Sequence, residues 1–422
     1  MKYTEMSRET LSALRDRWSA EYRSYAARGL KLDISRGKPS ADLLDYSMGV
    51  LSAVTREECM ADGADLRNYG MGDGIPAMKK LFAALYHVPA DTVFVGGNSS
   101  LQLMYDTLVR AMLFGFPDSP RPWYEEPARK WICVVPGYDR HFFVTETLGF
   151  ELLSVPMLPT GPDMDAVEAL VRDPAVKGIW CVPKYSNPTG NTYSDETVRR
   201  LARMETAAPD FRIMWDNAYA IHDFDGAGDV LLDILPQAEA AGHPDRVLYF
   251  GSTSKITLPG AGVAMMAGSR RNIDYARKLI NIQTIGYDKI NQYRHVRFLK
   301  DRETTLAHMA VLGAGLKKKF DMALAALEPL REEGIAAFTE PRGGYFISLD
   351  VMDSCATRVY RLMKDAGVTL TAVGATFPYG KDPHDRNLRL APTYPSDGDL
   401  TLAMRILAVS VRLAATEKLL GE

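Results

Sequence analysis

A chain of 422 residues, 46% hydrophobic and 24% charged, has the composition of a folded globular protein with room for a large domain and a smaller companion. A net charge of −3 leaves no electrostatic footprint for nucleic acid, and no apolar run approaches the length of a membrane span. The four cysteines, Cys59, Cys133, Cys181 and Cys355, form no CxxC pair, so neither a zinc knuckle nor a dense disulfide framework is expected, and no metal.

The chain opens on a charged segment without the apolar core of a signal peptide, and a reducing cytoplasm is the expected setting. Leu11, Leu14, Trp18, Tyr22 and Tyr25 recur at spacings of three and four, which puts them on one helix face, with Gly29 placed to end it. Seven apolar runs come next, separated by helix-like segments: "TVFVGG" (92–97), "WICVVPG" (131–137), "LLSVPM" (152–157), "GIWCVP" (178–183), "FRIMWD" (211–216), "RVLYFGS" (246–252) and "GVAMMAG" (262–268). Near-continuous hydrophobic strands alternating with helices predict a mostly parallel sheet covered on both faces. From about 270 to 330 the text is helical, and beyond it lie "RGGYFISLDV", "VTLTAVGATF", "NLRLAPTY" and a last helix opened by Ser396. The expected fold is therefore α/β, a large domain with a mostly parallel seven-stranded sheet over 51–300. A smaller α+β domain over 301–422 is expected to be completed by the N-terminal segment 1–50.

In open α/β sheets, ligands bind beyond the carboxyl ends of the strands. The residues just past these apolar runs are polar: Asn98, Ser99 and Ser100, then Tyr138, then Asn187 in "KYSNPTG", then Asp216 and Tyr219, then Ser252, Ser254 and Lys255. Hydroxyls and N–H groups at a helix start make a phosphate seat. A lysine whose pKa is lowered from about 10.4 by desolvation can form a Schiff base. A pyridine cofactor with a phosphate arm and an aldehyde fits these parts. Each residue alone has a plainer reading. A lysine is ordinarily solvated, Asp216 can cap a turn, Tyr138 can pack in the core, Ser99 and Ser100 can cap the next helix, and Arg389 can sit in a structural ion pair. His141 and His222 read as core histidines as easily as site residues, and His222 stays outside the expected site.

The ordered pieces "NYGMGDG", "GGNSS", "PGYDRH", "NPTG", "DNAY", "STSK", "RGGYF" and "LRLAP" resemble the fold type I pyridoxal phosphate enzymes of the class I/II aminotransferase superfamily. "SRGKPS" and "KYSNPTGNTYS" resemble its type Ic aspartate aminotransferase or MocR-like aminotransferase subgroup. The resemblance implies that Lys255 carries pyridoxal 5′-phosphate as a Schiff base and shuttles a proton, that Asp216 pairs with the pyridinium nitrogen, and that Tyr219 and Asn187 bond the ring oxygen. It implies that Tyr138 stacks on the ring, that Ser99, Ser100, Ser252 and Ser254 hold the phosphate, and that Tyr69 reaches in from the second subunit of a homodimer with shared active sites. Arg389 matches the residue that grips the substrate carboxylate, with Asn187, Gly37 and Lys38 as further substrate contacts. One departure stands out: relatives carry an arginine on the phosphate shortly after the lysine, whereas "LPGAG" offers none. Arg36 and Lys38 are the candidates to replace it or to read a distal carboxylate.

The implied activity is an aminotransferase with aspartate as donor and 2-oxoglutarate as acceptor, small molecules being the only partners besides a second subunit. A β-lyase on the same fold is one alternative. The effector-sensing domain of a MocR-like regulator is another, against which the aminotransferase pattern, starting within the first forty residues, leaves no expected room for a winged helix.

Overall fold

The structure, a computed structural model, describes residues 2–61, 63–226 and 228–422. All seven apolar runs are strands of one sheet, in the order Val93–Val95, Ala264–Gly268, Val247–Ser252, Arg212–Asp216, Val176–Cys181, Lys130–Val135 and Glu151–Leu158. An eighth, two-residue strand, Gly161–Pro162, folds back antiparallel on the end of Glu151–Leu158. The sheet thus has eight strands where seven were expected, since two residues closing a tight return carry no periodicity to read.

Side chains alternate across the sheet and enter two apolar layers. Ile132 and Val134 belong to one buried cluster, while Trp131, Cys133 and Val135 belong to the other. Ile213 and Trp215 lie in the first layer, and Met214 lies in the second. Over the central strands both faces are dry, which is why those runs read as continuous apolar text, whereas the edge strand Glu151–Leu158 exposes Glu151, Ser154, Pro156 and Leu158.

Among the seven long strands, Ala264–Gly268 alone runs against its neighbours, pairing antiparallel with both Val247–Ser252 and Val93–Val95. The connection 253–263 is too short for a helical crossover, which takes a dozen or more residues, so the chain turns back directly. That short return leaves Lys255 at the carboxyl end of the sheet.

Residues 270–332 form three helices, Arg270–Gln283, Lys289–Leu299 and Arg302–Glu332. After them, Ala336–Phe338, Ile347–Val351 and Asn387–Leu390 make a three-stranded antiparallel sheet. "VTLTAVGATF" contributes only Val368–Thr369, which pairs in parallel with Leu32–Asp33 from near the amino terminus. The helix Arg8–Ala26 lies along Asp397–Leu420, with Trp18 packed against Leu362, Val409 and Leu413 and its indole N–H donating to Tyr3 Oη at 3.1 Å. Among the described residues no helix is long and apolar enough to cross a membrane.

Candidate active site

The strand ends open into a cleft of about 470 Å³. On its floor, buried Asp216 ends the strand Arg212–Asp216 and accepts a hydrogen bond from His141 Nε2 at 3.1 Å through Oδ2. Its Oδ1 is buried without a partner. His141 is held in turn by Trp180, whose ring stacks on the imidazole at 4.4 Å and 12°. The Tyr138 ring stands edge-on to His141 at 4.8 Å. Withdrawal from water, with Asp139 and Asp216 nearby, pushes the Tyr138 phenol up to about 12.

Lys255 lies in the return after Val247–Ser252, its amine 5.0 Å from the Tyr219 ring centroid and 5.8 Å from that of Tyr345. Desolvation lowers the amine's pKa, the Asp216 charge opposes this, and Arg389 adds to the lowering. Tyr219 is buried and stacked on Tyr345 at 6.0 Å, and burial pushes its phenol up. His222 donates from Nε2 to the Lys255 carbonyl at 3.3 Å, and its Nδ1 is buried without a partner. Burial, followed by the Lys255 charge, presses His222 down to about 3, so it is neutral at pH 7.

The hydroxyls converge across one corner. Ser252 Oγ donates to Ser254 Oγ at 3.1 Å, and Ser254 Oγ lies 3.2 Å from the Asn98 carbonyl, beside Ser99 and Ser100. Ser99 caps the helix Ser100–Phe114, accepting from the Gln102 N–H at 3.3 Å. The backbone of Gly262 presses on this corner so closely that a Cβ there would sit 2.7 Å from the Asn98 carbonyl oxygen and 3.0 Å from Ser254 Oγ.

Opposite stands Arg389, on the strand Asn387–Leu390. Its Nη1 donates to Asp139 Oδ1 at 2.8 Å and lies 3.4 Å from Asn187 Oδ1. Its Nε reaches Thr371 Oγ1 at 3.4 Å, and that hydroxyl donates to the Ser35 carbonyl at 2.9 Å. Gly37 also lines the cleft, and a Cβ on it would strike the Phe346 ring at 2.3 Å.

Two expected residues lie elsewhere. Lys38 does not line the cleft: its ammonium sits 3.7 Å over the Tyr394 ring, and its carbonyl accepts from Thr393 Oγ1. Tyr69 is 82% exposed and away from the cleft of its own chain. Among the described residues the cations lining the cleft are Arg36, Arg140, Lys255 and Arg389, and residues 259–263 supply none. Sequence reasoning leaves His141 undecided and misses Asp139, Arg140 and Thr371. His141, Asp139 and Arg140 directly succeed Tyr138 at a strand end, where the same placement rule could have found them.

The fit to pyridoxal 5′-phosphate can be tested on these atoms. An orphaned buried carboxylate oxygen awaits a cationic N–H, and a hydroxyl corner cleared by a glycine suits a phosphate. A lysine of lowered pKa suits an aldehyde. Fold and cleft together define a pyridoxal-phosphate-dependent aminotransferase. The profile described as aspartate amino-transferase matches residues 6–422, and the chain belongs to that family.

An aspartate aminotransferase of Corynebacterium glutamicum is 48% identical over 93% of this chain and 91% of its own. A crystal structure of an aspartate transaminase from the same species superposes with a TM-score of 0.97 at 45% identity, covering 99% of both chains. The α-aminoadipate aminotransferase of Thermus thermophilus, solved with N-(5′-phosphopyridoxyl)-L-leucine, shares the fold at a TM-score of 0.74 and 21% identity, over 93% of this chain and 95% of that one.

Proposed function

We propose that this aminotransferase takes aspartate as amino donor and 2-oxoglutarate as acceptor, in the cytoplasm. The observation that carries the dicarboxylate reading is the pair of exposed guanidiniums, Arg36 and Arg140, lining a cleft that already holds Arg389. One carboxylate of the substrate takes Arg389, a planar fork suited to it, and the distal one takes Arg36 or Arg140. The kinship to enzymes named for aspartate supports the same reading.

In this reading Lys255 attaches the cofactor, Asp216 Oδ1 faces its pyridine nitrogen, and Asn187 and Tyr219 face its ring oxygen. Tyr138 covers a ring face, and Ser99, Ser100, Ser252 and Ser254 hold the phosphate. When bound, pyridoxal phosphate supplies an aldehyde that captures the amino group and a ring that draws electrons from the substrate Cα. The protein's share is positional. His141 fixes Asp216 Oδ2 and leaves Oδ1 aimed at its task. Arg389, set by Thr371 and Asn187, orients the substrate so that its Cα proton meets the Lys255 amine. The lowered pKa of that amine keeps a share of it unprotonated and able to accept the proton.

Tyr69, Ile282 and Ile285 are 82%, 83% and 65% exposed; Ile282 lies in the last turn of the helix Arg270–Gln283, and the loop after it meets the loop of Tyr69 where Gly286 lies against the Gly70 carbonyl. We assign this patch to the second subunit of a homodimer, with Tyr69 reaching the partner's phosphate corner. Residues 1–50 and 301–422 form the smaller domain around the larger 51–300.

The test is a preparation loaded with pyridoxal phosphate. Aspartate bleaches its visible band and yields oxaloacetate, and 2-oxoglutarate restores the colour. Release of ammonia and pyruvate without an acceptor would replace this reading with a lyase. Lys255→Ala protein loses the borohydride-fixed cofactor, and a fixed adduct persisting in that variant would refute the assignment of Lys255.

A further inference from the structure

Arg389 holds a carboxylate that belongs to the chain itself. The Asp139–Arg389 pair is enclosed, with side chains 16% and 8% exposed. Asp139 engages the guanidinium on one side only. Nη1 is shared between Asp139 at 2.8 Å and Asn187 at 3.4 Å, Nε goes to Thr371, and Nη2 makes no hydrogen bond among the described residues. A guanidinium presents two parallel N–H groups to a carboxylate that meets it squarely. Asp139 uses one of them.

We propose that Asp139 is an internal pseudo-substrate, compensating the Arg389 charge until the carboxylate of an amino or 2-oxo acid displaces it by taking both N–H groups. The inference rests on the reading of Arg389 as the carboxylate grip. Displacement is favoured because one hydrogen bond is exchanged for two. The displaced carboxylate also keeps a favourable field: Asp139 opens the helix Asp139–Thr147, where negative charge is stabilised, and its neighbour Arg140 is a cleft-lining cation. The device is selective. An amine without a carboxylate leaves the pair closed, so Asp139 discriminates against simple amines that Lys255 and the cofactor would otherwise meet.

Titration calorimetry of succinate, a dicarboxylate without an amino group, into pyridoxal-phosphate-loaded protein tests this without turnover. Asp139→Asn binds succinate about tenfold more tightly than the parent, the fold-change of one charge-assisted hydrogen bond that no longer has to be broken. Arg389→Gln weakens binding by at least about tenfold, and the double variant matches Arg389→Gln. Asp139→Ser, which keeps a residue suited to a helix start, gives the same tightening and guards against a folding defect in the asparagine variant. Unchanged or weaker binding by both Asp139 variants, with Arg389→Gln still impaired, overturns the inference and leaves the Arg389 reading standing. Equal tightening in the Arg389→Gln background marks a general charge effect and also overturns it. Parental affinity in Arg389→Gln removes the grip itself, and the inference with it.

Discussion

His222 faces Lys255 through the peptide carbonyl and titrates far from its ordinary 6.5. Its folded pKa of about 3 means that the unfolded chain binds a proton between pH 6.5 and 3 that the fold refuses. The group's contribution to stability is therefore complete above pH 6.5 and is lost as pH falls toward 3, at up to about 1.4 kcal/mol per pH unit. His222→Asn removes this slope. In urea titrations at pH 7, 5 and 4 the variant loses less stability on acidification than the parent, and parallel losses would refute a neutral buried His222. At this scale the strand-end rule led to Lys255, Asp216, Tyr138 and the serines, which line the cleft, because each comes directly after an apolar run. Lys38, offered beside Arg36 as a replacement for the missing arginine, lies outside the cleft for a local reason: its carbonyl is tied to Thr393 and its ammonium sits over Tyr394, while Arg36 and Gly37 remain at the cleft. The placement of Asp139 after Tyr138 was legible by the same rule, but its pairing with Arg389, 250 residues away in sequence, was not.

The elements carry the precision of the site. The return 253–263 brings Lys255, Ser254 and Gly262 together, and Gly262 leaves no space for a methyl group beside Asn98. Gly262→Ala pushes the hydroxyl corner apart and weakens pyridoxal phosphate binding by about tenfold or more, equivalent to roughly 1.4 kcal/mol. Fluorescence titration of the apoprotein checks this, and unchanged affinity would show that the corner does not hold the phosphate. At the molecule's other pole, Trp18 joins the first helix to the last. Trp18→Ala costs about 3–5 kcal/mol in denaturant unfolding, and a loss below about 1 kcal/mol would mean that the first helix contributes little. The strands and terminal helices were legible because burial imposes period. "VTLTAVGATF" misled because β-branched text looks like strand, whereas Gly374, at φ 78°, turns the chain so tightly that its Cβ would lie 2.1 Å from the Gly380 carbonyl.

At the scale of the whole molecule, the proposed homodimer sets the exposed loop of Tyr69 on one subunit against the cleft of Lys255 on the other, and this pairing can be tested. Lys255→Ala is inactive, and Tyr69→Ala is impaired through weaker cofactor binding. Hybrids formed by mixing the two contain one site with both native residues. Mixing therefore restores activity toward half the parental value per hybrid, measured after subunit exchange, whereas a simple sum of the two preparations would place Tyr69 outside any shared site. The expectation for Tyr69 rests only on the resemblance, since within a single chain Tyr69 stands 82% exposed and outside the cleft.

The stacking of Trp180 on His141 has an optical consequence. Trp123, Trp131 and Trp180 form a chain with ring centroids 6.2 and 5.4 Å apart, and Trp180 touches the imidazole that holds Asp216. At these separations excitation is expected to hop among the three indoles and so to reach the one beside the floor of the cleft. The expected outcome is that loading with pyridoxal phosphate quenches the ultraviolet emission of the chain with no label attached, which a fluorescence titration checks.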